Sequence, residues 1–299
     1  MHRWVRKALC GVNRTVGRWL PAGALSRTVP GIPDPVHVDD QMYRSDAPEH
    51  VRHYVEDARS AMENIEQSLG AVGRSFDDVR SCLDFACGYG RVTRWLVRAL
   101  GPERVIAADL DRQAIRFCSH AFGISTVRSP CDPARVANRD SYDVVFVGSL
   151  LTHLPVSGCA AALRALRGIV RPDGILILST QGESCLAHLD WYGPEFVAAA
   201  DEFRTGVRRD GAAFVPYRGR RDYGITILTP RAVEALVEQD AEPALRLVRF
   251  VERGWDRHQD VWSYQRAAES TVTRVRAGSP GAFASASAPG AVRSRGDRP

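Results

Sequence analysis

Lysine is almost missing from this chain. Lys7 is the only one, so arginine carries nearly all of the 40 basic charges. The net charge is +5 at pH 7. The arginines are scattered rather than striped, and their excess fits genome composition better than a nucleic-acid surface, so no nucleic-acid substrate is expected. Metal-binding cysteine spacings are also missing. The seven cysteines, Cys10, Cys82, Cys87, Cys118, Cys131, Cys159 and Cys185, contain no C-x-x-C pair and no zinc pattern. Most lie in apolar surroundings, where cysteine behaves as a small hydrophobe. An odd count without a framework fits a reducing, cytoplasmic setting. There is no run of about 18 apolar residues, so no membrane-spanning helix is expected. Internal repeats are absent too. What remains is ordinary for a globular protein: 44% apolar and 25% charged residues in a 299-residue chain. That length suits one large domain or two small ones.

One stretch organises the rest. Ser81 to Ala86 is a short apolar run with an acid, Asp84, near its end. It turns through Gly88-Tyr89-Gly90 into a helix whose apolar face is Val92, Trp95, Leu96, Ala99 and Leu100. Two glycines let the backbone bend tightly and let a ligand approach it. The third glycine of a dinucleotide fingerprint is missing, because Thr93 stands at its place. A second acid, Asp109, ends the next apolar run about twenty residues on, where a carboxylate can bind a ribose. The pocket is therefore read as one for a nucleoside without a pyrophosphate.

Around this stretch the chain divides into zones. Residues 1–45 form a basic extension and linker. Within it, residues 1–20 alternate Trp4, Leu9, Val16 and Trp19 with arginines; they are read as a frayed extension or as a helix lying on an anionic membrane surface. Pro30, Pro33 and Pro35 mark the linker. A long helix is expected over 46–69, capped by Ser45 or Asp46. Just before it, Asp39 to Asp46 is placed over the cofactor, with Tyr43 contributed to the site. From residue 80 strands and helices alternate: strands at 81–86, 104–109, 124–127, 142–147 and 174–180, with helices between. This rhythm predicts a parallel sheet with helices on both faces. Residues 181–228 break the rhythm. Their glycines and aromatics, among them Trp191, Tyr192, Tyr217 and Tyr223, read as an insertion over the pocket. A helix from Thr229 and strands at 245–251 and 261–266 close the domain, which is expected to span 46–270. Residues 275–299 are rich in Gly, Ala, Ser and Pro and read as a disordered tail.

Strand, acid, Gly-x-Gly, helix and spaced second acid together resemble motif I and the acidic strand of class I S-adenosylmethionine-dependent methyltransferases. The layout as a whole is similar to bacterial small-molecule or glycan-modifying members. The resemblance covers residues 80–180, and 229–267 by topology. It implies a Rossmann-like three-layer α/β sandwich. Its seven-stranded, mostly parallel sheet has the order 3-2-1-4-5-7-6 with strand seven antiparallel, and the insertion follows strand five. It implies S-adenosylmethionine as cofactor and a small-molecule or glycan acceptor, methylated at a hydroxyl. Asp84 then lies near the methionine amino group, and the backbone of Ala86, Gly88 and Gly90 curves around the methionine. Asp109 takes the ribose hydroxyls, Leu110 packs beside the adenine, and Asp132 reaches the adenine amino group. Gly148 and Ser149, ending strand four, line the methionine and acceptor side. His153 follows that strand closely and stands beside the transferred methyl. In the family's sheet the turn between strands six and seven lies at the ligand edge, so His258 and Asp260 face the acceptor as a histidine–carboxylate base. The competing reading makes His153 a loop-holding residue and His258–Asp260 a polar hairpin tip. Two other functions compete: a nicotinamide dehydrogenase, against which the incomplete glycine pattern argues, and a non-catalytic module that keeps the cofactor fold. No feature of the sequence fixes an oligomeric state.

Overall fold

A computed structural model describes residues 25–129, 141–239 and 242–268. Asp132, the basic stretch 1–20 and the tail 275–299 lie outside them. Two short antiparallel strands come first, β1 (Ser26–Arg27) and β2 (Val36–His37), then helix α1 (Pro48–Gly70). Strands and helices then alternate: β3 (Cys82–Phe85), α2 (Thr93–Leu100), β4 (Val105–Asp109), α3 (Arg112–Phe122), β5 (Ser125–Arg128), β6 (Tyr142–Val147), α4 (Val156–Ile169) and β7 (Val170–Thr180). The insertion holds helices α5 (Pro194–Ala198) and α6 (Ala200–Asp210) and the hairpin β8 (Ala212–Pro216) with β9 (Gly224–Leu228). Helix α7 (Pro230–Glu238) and strands β10 (Leu245–Trp255) and β11 (Gln259–Arg266) follow.

Seven strands form the central sheet in the order β5-β4-β3-β6-β7-β11-β10. Strand β11 runs antiparallel to β7 and β10, and the other pairs are parallel. Numbered along the chain, this is the order 3-2-1-4-5-7-6 that the resemblance implied. Strands β3 and β6 are buried along their whole length, as strands covered on both faces must be. Alternation along them fills two cores. Leu83, Phe85, Val145 and Val147 pack with α4 and α7 on one face. Cys82, Val144 and Phe146 pack with α1, α2 and α3 on the other. The insertion has an apolar cluster of its own, built around Phe196, Phe203, Ile225 and Ile227. Burying each such side chain contributes about 1.5–3 kcal/mol, so the insertion is a packed unit rather than a loose loop.

Three expectations change. The stretch around Pro30, Pro33 and Pro35 is not a bare linker: Val29, Ile32, Val36 and Tyr43 are buried against Tyr54 of α1. Prolines stop the segment joining a long helix or strand, but the apolar residues between them still find a partner. Tyr43 belongs to that cluster and not to the cofactor site. Helix α1 starts from Pro48 with Ala47 at its cap, without a side-chain cap bond. Ser45 instead accepts the Ala47 N–H at 3.2 Å.

Candidate active site

The loop after β3 is built from left-handed residues. Ala86, Gly88 and Gly90 have φ of 63°, 54° and 75°. The two glycines differ in surroundings. A Cβ on Gly90 would meet Phe122 at 2.4 Å, whereas a Cβ on Gly88 would meet nothing within 4 Å. Gly90 is thus required by packing on α3, and Gly88 faces open space at the carboxyl edge of the sheet. The Gly88 N–H donates to Asp109 Oδ2 and the Asp111 N–H to Asp109 Oδ1, both at 2.8 Å. Asp109 therefore ties the loop to the end of β4 and keeps lone pairs on both oxygens for further donors. Burial raises its pKa, against the two amide hydrogen bonds. Leu110, the next residue, is 49% exposed beside it.

Asp84 is 3% exposed. Burial pushes its carboxyl up to about 7, against a hydrogen bond from Thr93 Oγ1 at 2.6 Å. Thr93 replaces the third glycine of a dinucleotide pattern, and its hydroxyl lets the first residue of α2 hold the acid of β3. Arg94, one residue on, is buried and reaches back over the loop. Its Nε donates to the Gly90 carbonyl at 3.2 Å and its other nitrogens to the Asp34 carbonyl and the Tyr54 hydroxyl. The His37 ring stacks on Tyr89 with centroids 4.5 Å apart. The first described segment is therefore clamped onto the glycine loop from outside.

Across the edge, β6 ends in Gly148 and Ser149. A Cβ on Gly148 would meet the Trp255 ring at 2.6 Å, so this glycine makes room for the tryptophan before the β10–β11 turn. Ser149 has φ 59°. Non-glycine residues rarely hold this conformation, and those that do gather at ligand clamps. Its N–H donates to Ser179 Oγ at 2.8 Å, and its hydroxyl accepts from Gln259 Nε2 at 3.1 Å. Ser179 in turn donates to Gln259 Oε1 at 2.7 Å. The ends of β6 and β7 and the start of β11 are thereby locked together. Gln259 and Ser179 carried no signal of this in the sequence.

His153 and His258 both come to this edge, on different supports. His153 Nδ1 donates to the Gly224 carbonyl at 2.8 Å, and its ring stacks on Tyr223 at 5.0 Å. Burial lowers its pKa. Strand β9 is joined to the same loop by the Gly224 and Thr226 N–H groups, which donate to the His153 and Thr152 carbonyls. The 38% exposed Tyr223 lies near enough to Asp109 for that carboxylate to help raise its phenol, after burial. The insertion is thus fastened to the loop after β6. His258 sits at the tip of the β10–β11 hairpin, after Asp256 and Arg257 with φ of 52° and 54°. Its Nε2 is hydrogen-bonded to the Tyr192 hydroxyl, and burial lowers its pKa. Asp260 does not partner His258. It is 1% exposed and accepts the Arg253 N–H at 2.8 Å, closing its own hairpin, with the other oxygen packed on Gly182. The expected histidine–carboxylate pair is absent because the hairpin bulge takes the carboxylate first.

One chain of ring contacts joins the two histidines. It runs from His258 to Tyr192, Phe196, Tyr217, Tyr223 and His153, with centroid spacings of 5.0–6.4 Å. Trp191 extends it beyond His258 at 5.1 Å. The aromatics expected as a roof form a continuous wall along the carboxyl edge. Among the described residues no cluster of three or more His, Cys, Asp or Glu side chains has metal-binding geometry. No described helix is long and apolar enough to cross a membrane.

Residues 82–174, from β3 into β7, match the family model of a methyltransferase domain. This part of the chain matches a methyltransferase domain, and its sheet has the class I Rossmann-like order. The methyltransferase domain shares its fold with solved structures of low identity. The PH0226 protein of Pyrococcus horikoshii OT3 is 12% identical, with a TM-score of 0.51 over 75% of this chain and 95% of that one. Magnesium protoporphyrin IX methyltransferase from Synechocystis PCC 6803, solved with bound S-adenosylhomocysteine, is 16% identical, with a TM-score of 0.49 over 76% and 92%. The N-methyltransferase NodS from Bradyrhizobium japonicum WM9 is 16% identical, with a TM-score of 0.45 over 76% and 92%. No curated protein sequence matches the chain.

Proposed function

We propose that the methyltransferase domain transfers the methyl of S-adenosylmethionine to a hydroxyl of a small molecule or glycan, in a unit that takes in the packed residues Val29 to Tyr43 ahead of residue 46. The observation that carries this reading is the open backbone at Gly88, with Asp84 and Asp109 near the ends of neighbouring strands, at the sheet edge to which His153 and His258 also come. The ring contacts that run from His153 to His258 wall a chamber at that edge. The donor set fits the cofactor. Open space over Gly88 admits a ligand against backbone, and two acids stand at the ends of neighbouring strands. Asp84 pairs with the methionine amino group. The backbone of Ala86, Gly88 and Gly90, with Gly148 and Ser149, cups the methionine. Asp109 accepts from the ribose hydroxyls, and Leu110 covers one face of the adenine.

When bound, S-adenosylmethionine supplies an electrophilic methyl for direct displacement. What is left to the chain is alignment, exclusion of water and disposal of one proton. Holding reactants in line at about 3–3.5 Å supplies several kcal/mol by itself. The aromatic wall excludes water. His153 and His258, neutral near pH 7 because burial disfavours their charged forms, are the proton sinks. Asp260 positions His258 by closing the hairpin that carries it. The test is methyl transfer from radiolabelled S-adenosylmethionine to cell-extract fractions, with mass analysis of the labelled product. A product methylated on oxygen supports the reading; a labelled protein, nucleic acid or amine refutes it.

A further inference from the structure

Three polar groups at the end of β7 form a chain with a direction. Gln181 follows β7 directly and is 2% exposed. Its Nε2 donates to the Tyr192 hydroxyl at 2.7 Å. The amide nitrogen can only donate, so the phenol oxygen accepts there and turns its own proton to His258 Nε2. That nitrogen must then accept, and the imidazole proton sits on Nδ1. The basic nitrogen of His258 is thus reached through the phenol. The Oε1 of the same Gln181 amide is fully buried and has no hydrogen-bond partner. Native structures leave few buried polar atoms unpaired, and those few call for an explanation such as a missing ligand. The remaining ionisable groups around the imidazole are Asp256 and Arg253 of its own hairpin and His188 of the preceding turn. Cys185 Sγ lies 3.9 Å from the His258 carbonyl and 3.8 Å from the Tyr192 oxygen, where it is a longer and weaker acceptor for the phenol proton than Nε2.

Resting on the hydroxyl-transfer reading above, we propose that Tyr192 is a catalytic proton relay. Its phenol oxygen takes the acceptor's hydroxyl proton while its own proton passes to Nε2 of His258. Gln181 is the positioning residue that holds the phenol in line. The balance is simple. The acceptor oxygen forms a bond to the methyl carbon and loses its O–H bond. The pair from the broken carbon–sulfur bond stays on sulfur. Tyr192 ends as it began, and the released proton rests on His258 as imidazolium until water takes it. A phenol oxygen can accept twice, from Gln181 and from the acceptor, so the relay needs no rearrangement of the network.

The test uses full-length protein labelled with ¹⁵N-histidine and saturated with S-adenosylhomocysteine. Wild type should show His258 as the Nδ1–H tautomer with Nε2 accepting. A hydrogen bond to the neutral ring disfavours its charged form, so Tyr192→Phe should raise the His258 pKa and leave S-adenosylhomocysteine affinity unchanged. Its methyl transfer to the extract fraction that wild type labels should fall roughly 10²-fold or more. An Nε2–H tautomer in wild type overturns the relay without any variant. So does a His258 titration that Tyr192→Phe leaves in place, or full transfer by that variant. If the titration behaves as described and wild type labels no hydroxyl acceptor, the hydroxyl-transfer reading is what fails, and catalysis by the relay fails with it.

Discussion

Alanine at Gly88 and at Gly90 should produce opposite kinds of damage, although the residues are two apart in one loop. Both sit at positive φ, where a Cβ costs about 1–2 kcal/mol. Both substitutions also reduce the freedom of the unfolded chain, an offset of about 0.4–1 kcal/mol that cancels in the comparison. The surroundings then separate them. At Gly90 the new methyl would meet Phe122 at 2.4 and 3.0 Å and Cys118 Sγ at 3.1 Å. Phe122 is packed edge-on against Phe117 and under the Arg94 guanidinium, so it has little room to yield. Overpacking of this kind costs about 1–3 kcal/mol more. After that offset Gly90→Ala should lose about 1–4.6 kcal/mol, and at about 2–4 °C per kcal/mol its Tm should fall by roughly 2–18 °C. At Gly88 nothing lies within 4 Å of the methyl. Gly88→Ala should lose at most about 1.6 kcal/mol of stability after the same offset, yet its methyl projects where the cofactor must approach backbone. S-adenosylhomocysteine affinity should fall at least about tenfold, or about 1.4 kcal/mol. Thermal melts and titration calorimetry on both variants read this directly. Undiminished affinity in Gly88→Ala would refute the cradle, and equal melting temperatures would refute the packing argument.

The acids and the strand-end glycine make further predictions. Asp109→Ala removes an acceptor whose charge-assisted hydrogen bonds are worth about 1.5–3 kcal/mol each, so calorimetry should find cofactor affinity lowered tenfold or more. Asp84 titrates at about 7 in the fold. Because that value lies above its unfolded one, its contribution to stability is present below about pH 4 and is lost as pH rises to about 7. Asp84→Asn should therefore gain Tm relative to wild type across that window, while the rise of wild-type cofactor affinity through pH 7 disappears. Gly148→Ala drives a methyl into the Trp255 ring at 2.6 Å. It should lower Tm and, by displacing the hairpin that carries His258, lower turnover more than cofactor affinity.

Much of the fold was legible because its signals are local. Buried strands read as apolar runs, and the acid, Gly-x-Gly and second acid fall where βα turns must put them. The order of the sheet and the location of the β10–β11 turn came through family topology. Long-range partners were not legible. Nothing around Thr93 tells that its hydroxyl holds Asp84, and nothing around Asp260 tells that the Arg253 N–H takes it from His258. The prolines of the first segment hid its packing, since they report backbone restriction and not burial. The aromatic content of 181–228 announced a roof. Only folding decided that Tyr192 faces His258 and Tyr223 faces His153. Gln181 looked like any residue after a strand, and its significance comes from an unpaired buried oxygen that no sequence pattern reveals.

The most direct test of the central claim is a crystal structure of the full chain with S-adenosylhomocysteine. The account predicts ribose hydroxyls on Asp109, the amino group at Asp84, backbone contact at Gly88, and the sulfur facing the chamber between His153 and Tyr192. A sulfur more than about 10 Å from the His153 imidazole and from the Tyr192 phenol, beyond reach even through one water, would contradict it.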